Sequence, residues 1–224
     1  MSSLPGLRAD LGELTPLARR AVSLDPAGLG RVRCADGRLA LLVRLPFGVL
    51  AARTVAVAAD QPGTDVTFGA SDLLAWLDGE RAEPPPARDA EWRSPLPPTR
   101  GWRRIDTVPD EVVRALVRSG ALTLKDTAAR EGVPGAQPRA EVTDALLDSV
   151  VLTVSDDVGQ SAEVTLRTLS ALTRLGFLAR GSHIGVDLAG RWTRVAAEYG
   201  SVYAERPGSG LALRPRRVKA PGRE

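Results

Sequence analysis

Six prolines, Pro84, Pro85, Pro86, Pro95, Pro97 and Pro98, stand between Gly79 and Arg100. Proline carries no backbone N–H and fixes φ, so this stretch can be neither a helix nor a central strand. It divides the 224-residue chain into an N-terminal segment (1–78), a linker (79–100) and a C-terminal segment (101–205), with a tail (206–224) beyond. A chain of this length can bury a core without covalent staples. Its 43% apolar and 25% charged residues are ordinary globular usage.

The N-terminal segment opens with helical spacing over Leu11–Val22, where Leu11, Leu14, Leu17, Ala18 and Val22 share a side and Pro16 falls near the start. A β-rich block follows. Arg31–Ala35 alternates, Asp36-Gly37 is a two-residue hairpin turn, and Arg38–Leu45 continues as a strand with Leu39, Leu41, Val43 and Leu45 on one face. Val49–Ala59 reads as a third strand and Val66–Phe68 as a fourth. Ser71 is placed to cap a short helix through Leu77 that Gly79 closes. Trp92 is placed to pin the proline-rich linker to a surface.

The C-terminal segment reads as mostly helical. Helices are expected over Pro109–Arg118, Arg139–Val151 and Ala162–Leu175, the last stopped by Gly176. Strands are expected at Ile184–Leu188, Trp192–Ala197 and Val202–Ala204, with Leu211–Leu213 as an edge candidate and a hairpin turn at Ala189-Gly190. The predicted class is therefore α+β. It combines an N-terminal antiparallel β-meander with flanking helices and a C-terminal helical domain bearing a β-hairpin.

Charge weakens the reading that a pI near 9.6 invites. Residues 1–100 carry 12 basic and 12 acidic side chains, and residues 101–205 carry 12 and 14. The positive excess sits in residues 206–224, with six basic groups against Glu224. Lys125 and Lys219 are the only lysines, asparagine is absent, and Ile105 and Ile184 are the only isoleucines. That bias follows GC-rich codon usage and says nothing about a ligand. A lone cysteine, Cys34, excludes an internal disulfide, and with the lone His183 it cannot build a four-ligand zinc site. A reducing cytoplasm is the expected setting. The start shows no signal-peptide pattern, and Arg44, Pro46, Gly48 and Arg53 interrupt the most apolar stretch, so a membrane is excluded as a partner.

Signatures of catalysis are poor. Gly28-Leu-Gly30 meets Arg33 where a dinucleotide loop needs glycine, and Gly208-Ser-Gly210 meets Leu213. Gly181-Ser182-His183 lacks the G-x-S-x-G elbow, and Asp156-Asp157 would hold a cation only with oxygens from elsewhere. No catalytic residue, metal or cofactor is assigned.

Two segments resemble DNA-binding elements. Thr123–Val133 is similar to the opening of a bacterial helix-turn-helix, but Gly135 and Pro138 fall where its recognition helix should run. Ala162–Tyr203, a helix ending in Leu172-Thr-Arg-Leu-Gly-Phe-Leu178 and followed by a hairpin, resembles the recognition helix and wing of a winged-helix domain. The resemblance implies nucleic-acid contacts from Arg167, Ser170 and Arg174 on the helix and from Arg191 and Arg194 near the wing. Leu172–Ala204, with Gly190-Arg-Trp-Thr-Arg194 and Tyr199-Gly-Ser-Val-Tyr203, also resembles an uncharacterised protein family of high-GC actinobacteria, which implies no activity.

Three functions stay open. The lead is a non-catalytic binding or regulatory protein of the cytoplasm. The alternatives are a winged-helix DNA-binding regulator and an enzyme with a dispersed site. Partners open to such a chain are another protein, a second copy of itself, or nucleic acid held weakly.

Overall fold

Along β1 (Leu29–Ala35), β2 (Arg38–Arg44), β3 (Leu50–Ala56) and β4 (Thr64–Gly69) alternate residues face a common core, among them Val32, Leu39, Leu41, Val43, Ala51, Val55 and Phe68. A computed structural model of the chain describes residues 12–46, 48–57, 63–130 and 140–206. In it these strands join β5 (Arg103–Pro109), β8 (His183–Ala189), β9 (Trp192–Ala197) and β10 (Gly200–Glu205) in one sheet. The strand order is β4-β1-β2-β3-β10-β9-β8-β5, and every pair is antiparallel. A separate hairpin pairs β6 (Val150–Ser155) with β7 (Ser161–Thr165). The class is α+β, dominated by antiparallel sheet.

The two-residue turn at Asp36-Gly37 is as expected. Both residues take positive φ, +55° and +67°, which lets so tight a turn follow the twist of its strands, and glycine adopts it without strain. At β3 the two halves of the chain meet, because Leu50, Ala51 and Ala52 pair with Tyr203, Val202 and Ser201.

Helices cover one face of the sheet. They are α1 (Thr15–Leu24), α2 (Ala70–Leu77), α3 (Asp110–Arg130), α4 (Ala140–Leu147) and α5 (Leu166–Arg174). Leu166, Leu169 and Leu172 recur at helical spacing and are buried, and the Thr165 hydroxyl caps α5 by accepting from the Thr168 N–H. One apolar cluster runs under both halves, from Leu17 of α1 through Leu41 and Val43 to Leu169, Val195 and Val202. No residue of α4 is fully buried.

Several expectations for residues 109–175 are corrected. The helix begun at Asp110 runs on to Arg130, taking in most of the helix-turn-helix-like run, and residues 131–139 lie outside the described set. Residues 150–151 and 162–165 are strand rather than helix, because the β-branched run Val150–Ser155 pairs with Ser161–Thr165, in which Ala162 and Val164 alternate with Glu163 and Thr165. The hairpin expected as a wing is the β8–β9 hairpin, with its turn at Gly190-Arg191. It does not project. β5 flanks β8 and β10 flanks β9, so both strands are interior to the sheet. Leu211–Leu213 lies outside the described residues.

Candidate binding groove on the outer sheet face

On the sheet face away from the helices, the outward residues of β1 to β3 are Arg31 and Arg33, then Arg38, Ala40, Leu42 and Arg44, then Leu50, Ala52 and Thr54. No described α-helix covers them. The proline-rich stretch does, as a strap laid across the strands. It begins at the open edge of β4, where the Arg88 N–H donates to the Thr67 carbonyl and the Thr67 N–H donates to Asp89 Oδ1 at 2.7 Å. Trp92 and Leu96 then pack on a second apolar cluster of Leu42, Leu50 and Ala52. Arg31 lies 5.8 Å from the Trp92 ring centre and pairs with Asp65 at 2.6 Å, while Arg44 donates to the Ser94 hydroxyl at 2.8 Å. Arg100 fastens the far end by a two-pronged contact to Asp36, which holds that carboxyl below the usual carboxylate range.

Beyond the strap, the outer face of the C-terminal half is a charged and aromatic cluster. Asp187 of β8 is buried, and its two oxygens accept from Arg104 of β5 and from Arg194 of β9, the latter at 2.8 Å. Arg104 reaches that carboxylate by lying flat over Gly185, whose missing side chain leaves the room; a Cβ there would sit 2.0 Å from the guanidinium carbon. Arg194 stacks over Trp102 at 4.4 Å, and Trp102 tilts against Tyr203 with ring centres 5.6 Å apart. Burial raises the Tyr203 hydroxyl above its usual pKa, against the pull of Arg194.

Between strap and cluster a groove of about 650 Å³ stays open. Its floor is Ala40, Leu42, Ala52, Thr54 and Ser201, and its walls include Arg33, Arg38, Arg100, Pro97, Trp102 and Arg194. A fork in the sheet opens it. β3 pairs with β2 over seven residues, but with β10 only as far as Ala52, because the β9–β10 hairpin turns back at Glu198-Tyr199. Arg53, Thr54, Tyr199 and Gly200 line that open end. Glu13 and Glu198 are its other acidic lining residues besides Asp36.

The structure does not gather the five residues singled out from the winged-helix resemblance. Arg167, Ser170 and Arg174 ride on α5, which packs on the inner face, whereas Arg194 belongs to the outer face. Arg167 is held by Asp148 at 2.7 Å and Asp144 at 3.0 Å, binding α5 to α4 and the turn after it. Ser170 is half-buried, and Arg174 is exposed with its carbonyl accepting from Arg20. Arg191 lies near Glu205 at 3.7 Å. Cys34 is buried in the core, where burial pushes its thiol pKa up, and His183 is exposed at the start of β8. Sequence reasoning passed over Arg38, Arg53, Trp102 and Asp187. The usable signal was an arginine alternating with alanine and leucine along Arg38–Arg44, marking a polar sheet face.

The fold is that of the DNA polymerase sliding clamps. The chain superposes on the clamp of Bacillus subtilis with a TM-score of 0.56 at 11% identity, covering 88% of this chain and 62% of that one. It superposes on the DNA polymerase beta subunit of Streptococcus pyogenes at 0.54 and 9%, with the same coverages. For the DNA polymerase III subunit beta of Pseudomonas aeruginosa the values are 0.53 and 11%, over 86% and 62%. The chain thus spans about three fifths of the length of these proteins. In sequence, residues 97–209 match a domain of unknown function, DUF8185, and the chain belongs to that family. Residues 5–94 match a second domain of unknown function, DUF8010. None of the curated proteins matches the sequence. Among the described residues no helix is long and apolar enough to cross a membrane.

Proposed function

We propose that this chain is a non-catalytic, cytoplasmic protein-binding module built on a sliding-clamp-like fold, working through the groove on the outer sheet face. The groove carries this reading. It joins a floor of small and apolar side chains, with the Thr54 and Ser201 hydroxyls, to guanidinium walls at the seam between two halves, and an open cleft with a few convergent polar groups is where binding sites are found. The sliding clamps named above are DNA polymerase subunits, and only their fold is carried over to this chain. A winged-helix contact with DNA has less support, because Arg167 would have to leave two carboxylates to reach a phosphate.

Ser201→Trp tests the proposal by filling the floor beside Ala52. Cross-linking in the native cell, followed by purification, should recover complexes with the wild-type chain that the variant loses while its melting temperature holds. Complexes of unchanged composition and yield from a folded variant would overturn the assignment of the groove.

A further inference from the structure

The groove contains an unused strand edge. The Val57 N–H donates to the Gly37 carbonyl and the Leu45 N–H to the Val49 carbonyl, both at 2.9 Å. In an antiparallel ladder hydrogen-bonded pairs recur every second residue, so Ala51, Arg53 and Val55 turn their main-chain groups toward β2. Leu50, Ala52, Thr54 and Ala56 turn theirs the other way. Leu50 and Ala52 meet Tyr203 and Ser201 of β10. Thr54 and Ala56 come after the fork, where no described strand pairs with β3 on that side. Their N–H and C=O groups therefore form an unpaired edge, entering the groove at Thr54, as a template for one more strand.

Charge selects what that strand carries. Three groove arginines already have carboxylate partners: Arg33 with Asp65, Arg100 with Asp36, and Arg194 with Asp187. Arg38 and Arg53 have none within ion-pair distance among the described residues, and they flank the unused edge. Arg38 lies opposite Ala56 on the outer face, with only a methyl group between it and the fork, while Arg53 has the opposite parity. Successive side chains of an added strand alternate between faces, so neighbouring acidic residues would meet Arg38 on one face and Arg53 on the other.

We propose, resting on the groove's role as the binding site, that it takes an extended acidic peptide segment of a partner protein by strand addition to β3 at Thr54 and Ala56, with Arg38 and Arg53 receiving its carboxylates. A nucleic-acid strand fits less well. It has no backbone N–H for the Thr54 and Ala56 carbonyls, and the groove's Trp102 is already occupied by Arg194, so it does not offer a base a free stacking face.

The test uses the full chain and a fluorescein-labelled peptide of eight glutamates, read by anisotropy beside a lysine octapeptide and a 12-nucleotide single-stranded DNA. The glutamate peptide should bind, and Arg38→Ala and Arg53→Ala should each weaken it about 10-fold, the worth of one charged hydrogen-bonded contact. Amide exchange by NMR supplies the backbone half. The Thr54 and Ala56 amides should exchange fast in the free protein and slow on peptide addition, while Arg53 and Val55 stay protected throughout. Peptide binding indifferent to both arginine variants would place the peptide on the basic tail and overturn the proposal. So would tighter binding of the DNA through the same arginines, or exchange at Thr54 and Ala56 that the peptide leaves unchanged. If the peptide fails while Ser201→Trp still strips the cellular complexes, the groove is a binding site for another chemistry and only this inference falls.

Discussion

The two faces of the eight-stranded sheet are built from the same strands and held by different physics. Along β2, Leu39, Leu41 and Val43 point into the helix-covered core, while Arg38, Ala40, Leu42 and Arg44 point to the strap. Inner-face stability comes from apolar area removed from water, which is non-directional and tolerates many partners. Outer-face order comes from individual contacts: Arg31 with Asp65, Arg44 with Ser94, Arg100 with Asp36, and Arg194 with Trp102 and Asp187. A face organised by separate contacts can leave a gap between them, and the groove is that gap.

The sharpest way to break this contrast is a pair of adjacent truncations. Leu41 and Leu42 neighbour one another on β2, both nearly inaccessible, but Leu41 belongs to the helix-covered core and Leu42 to the cluster under the strap. Leu41→Ala should cost about 3 kcal/mol by denaturant unfolding, since rigid layers on both sides keep the cavity open. Leu42→Ala should cost roughly half as much, because Trp92 and Leu96, on a strap with no α-helix or strand beyond the single 3-10 turn Asp89–Glu91, can settle into the space. Equal losses would mean that the strap packs as rigidly as a helix layer.

The inner face was legible in the sequence and the outer face largely was not. Period-two alternation and the Asp36-Gly37 pair gave the faces of β2 and its hairpin, and the prolines marked a stretch without α-helix or strand, regular only in the 3-10 turn Asp89–Glu91. Alternation failed at residues 161–165, where Ala162 and Val164 were absorbed into the helix that begins only at Leu166. The groove depends on partners far apart in sequence. Trp102 meets Tyr203 and Arg194, and Arg104 meets Asp187, each across more than 80 residues. No local pattern encodes such pairs. The fork is a register fact as well, because it exists only where β10 stops following β3.

A smaller effect is expected at the centre of the charged cluster. Asp187→Ala leaves Arg104 and Arg194 facing each other without the carboxylate between them. The loss should be about 2 kcal/mol, below that of a fully buried pair, because Arg104 is half exposed and keeps access to water. Asp187→Asn, which retains one acceptor and the volume, should lose less. A neutral Asp187→Ala would show that Arg194 is placed by Trp102 alone.

The smallest effect belongs to the strap's outer fastening, and its sign is fixed. Arg100 holds the Asp36 carboxyl below its ordinary value by hydrogen bonding first and charge second. A lowered folded pKa means that the contribution is fully present above the ordinary aspartate value of about 3.9 and is lost as pH falls through the lowered one. Asp110, held down chiefly by its hydrogen bond from Arg114, follows the same direction, so global acid unfolding cannot isolate Asp36. Trp102 can, because its indole N–H donates to the Pro98 carbonyl within the same stretch of strap at 2.9 Å. The indole proton resonance should move on acidification with a midpoint below the ordinary aspartate value, and Asp36→Asn should abolish that step. Salt near 1 M should raise the midpoint, since screening weakens the attraction that favours the ionised form. An indole resonance that ignores Asp36→Asn would mean that Arg100 rests on the turn without fastening the strap, leaving Trp92 and Leu96 to hold the outer face.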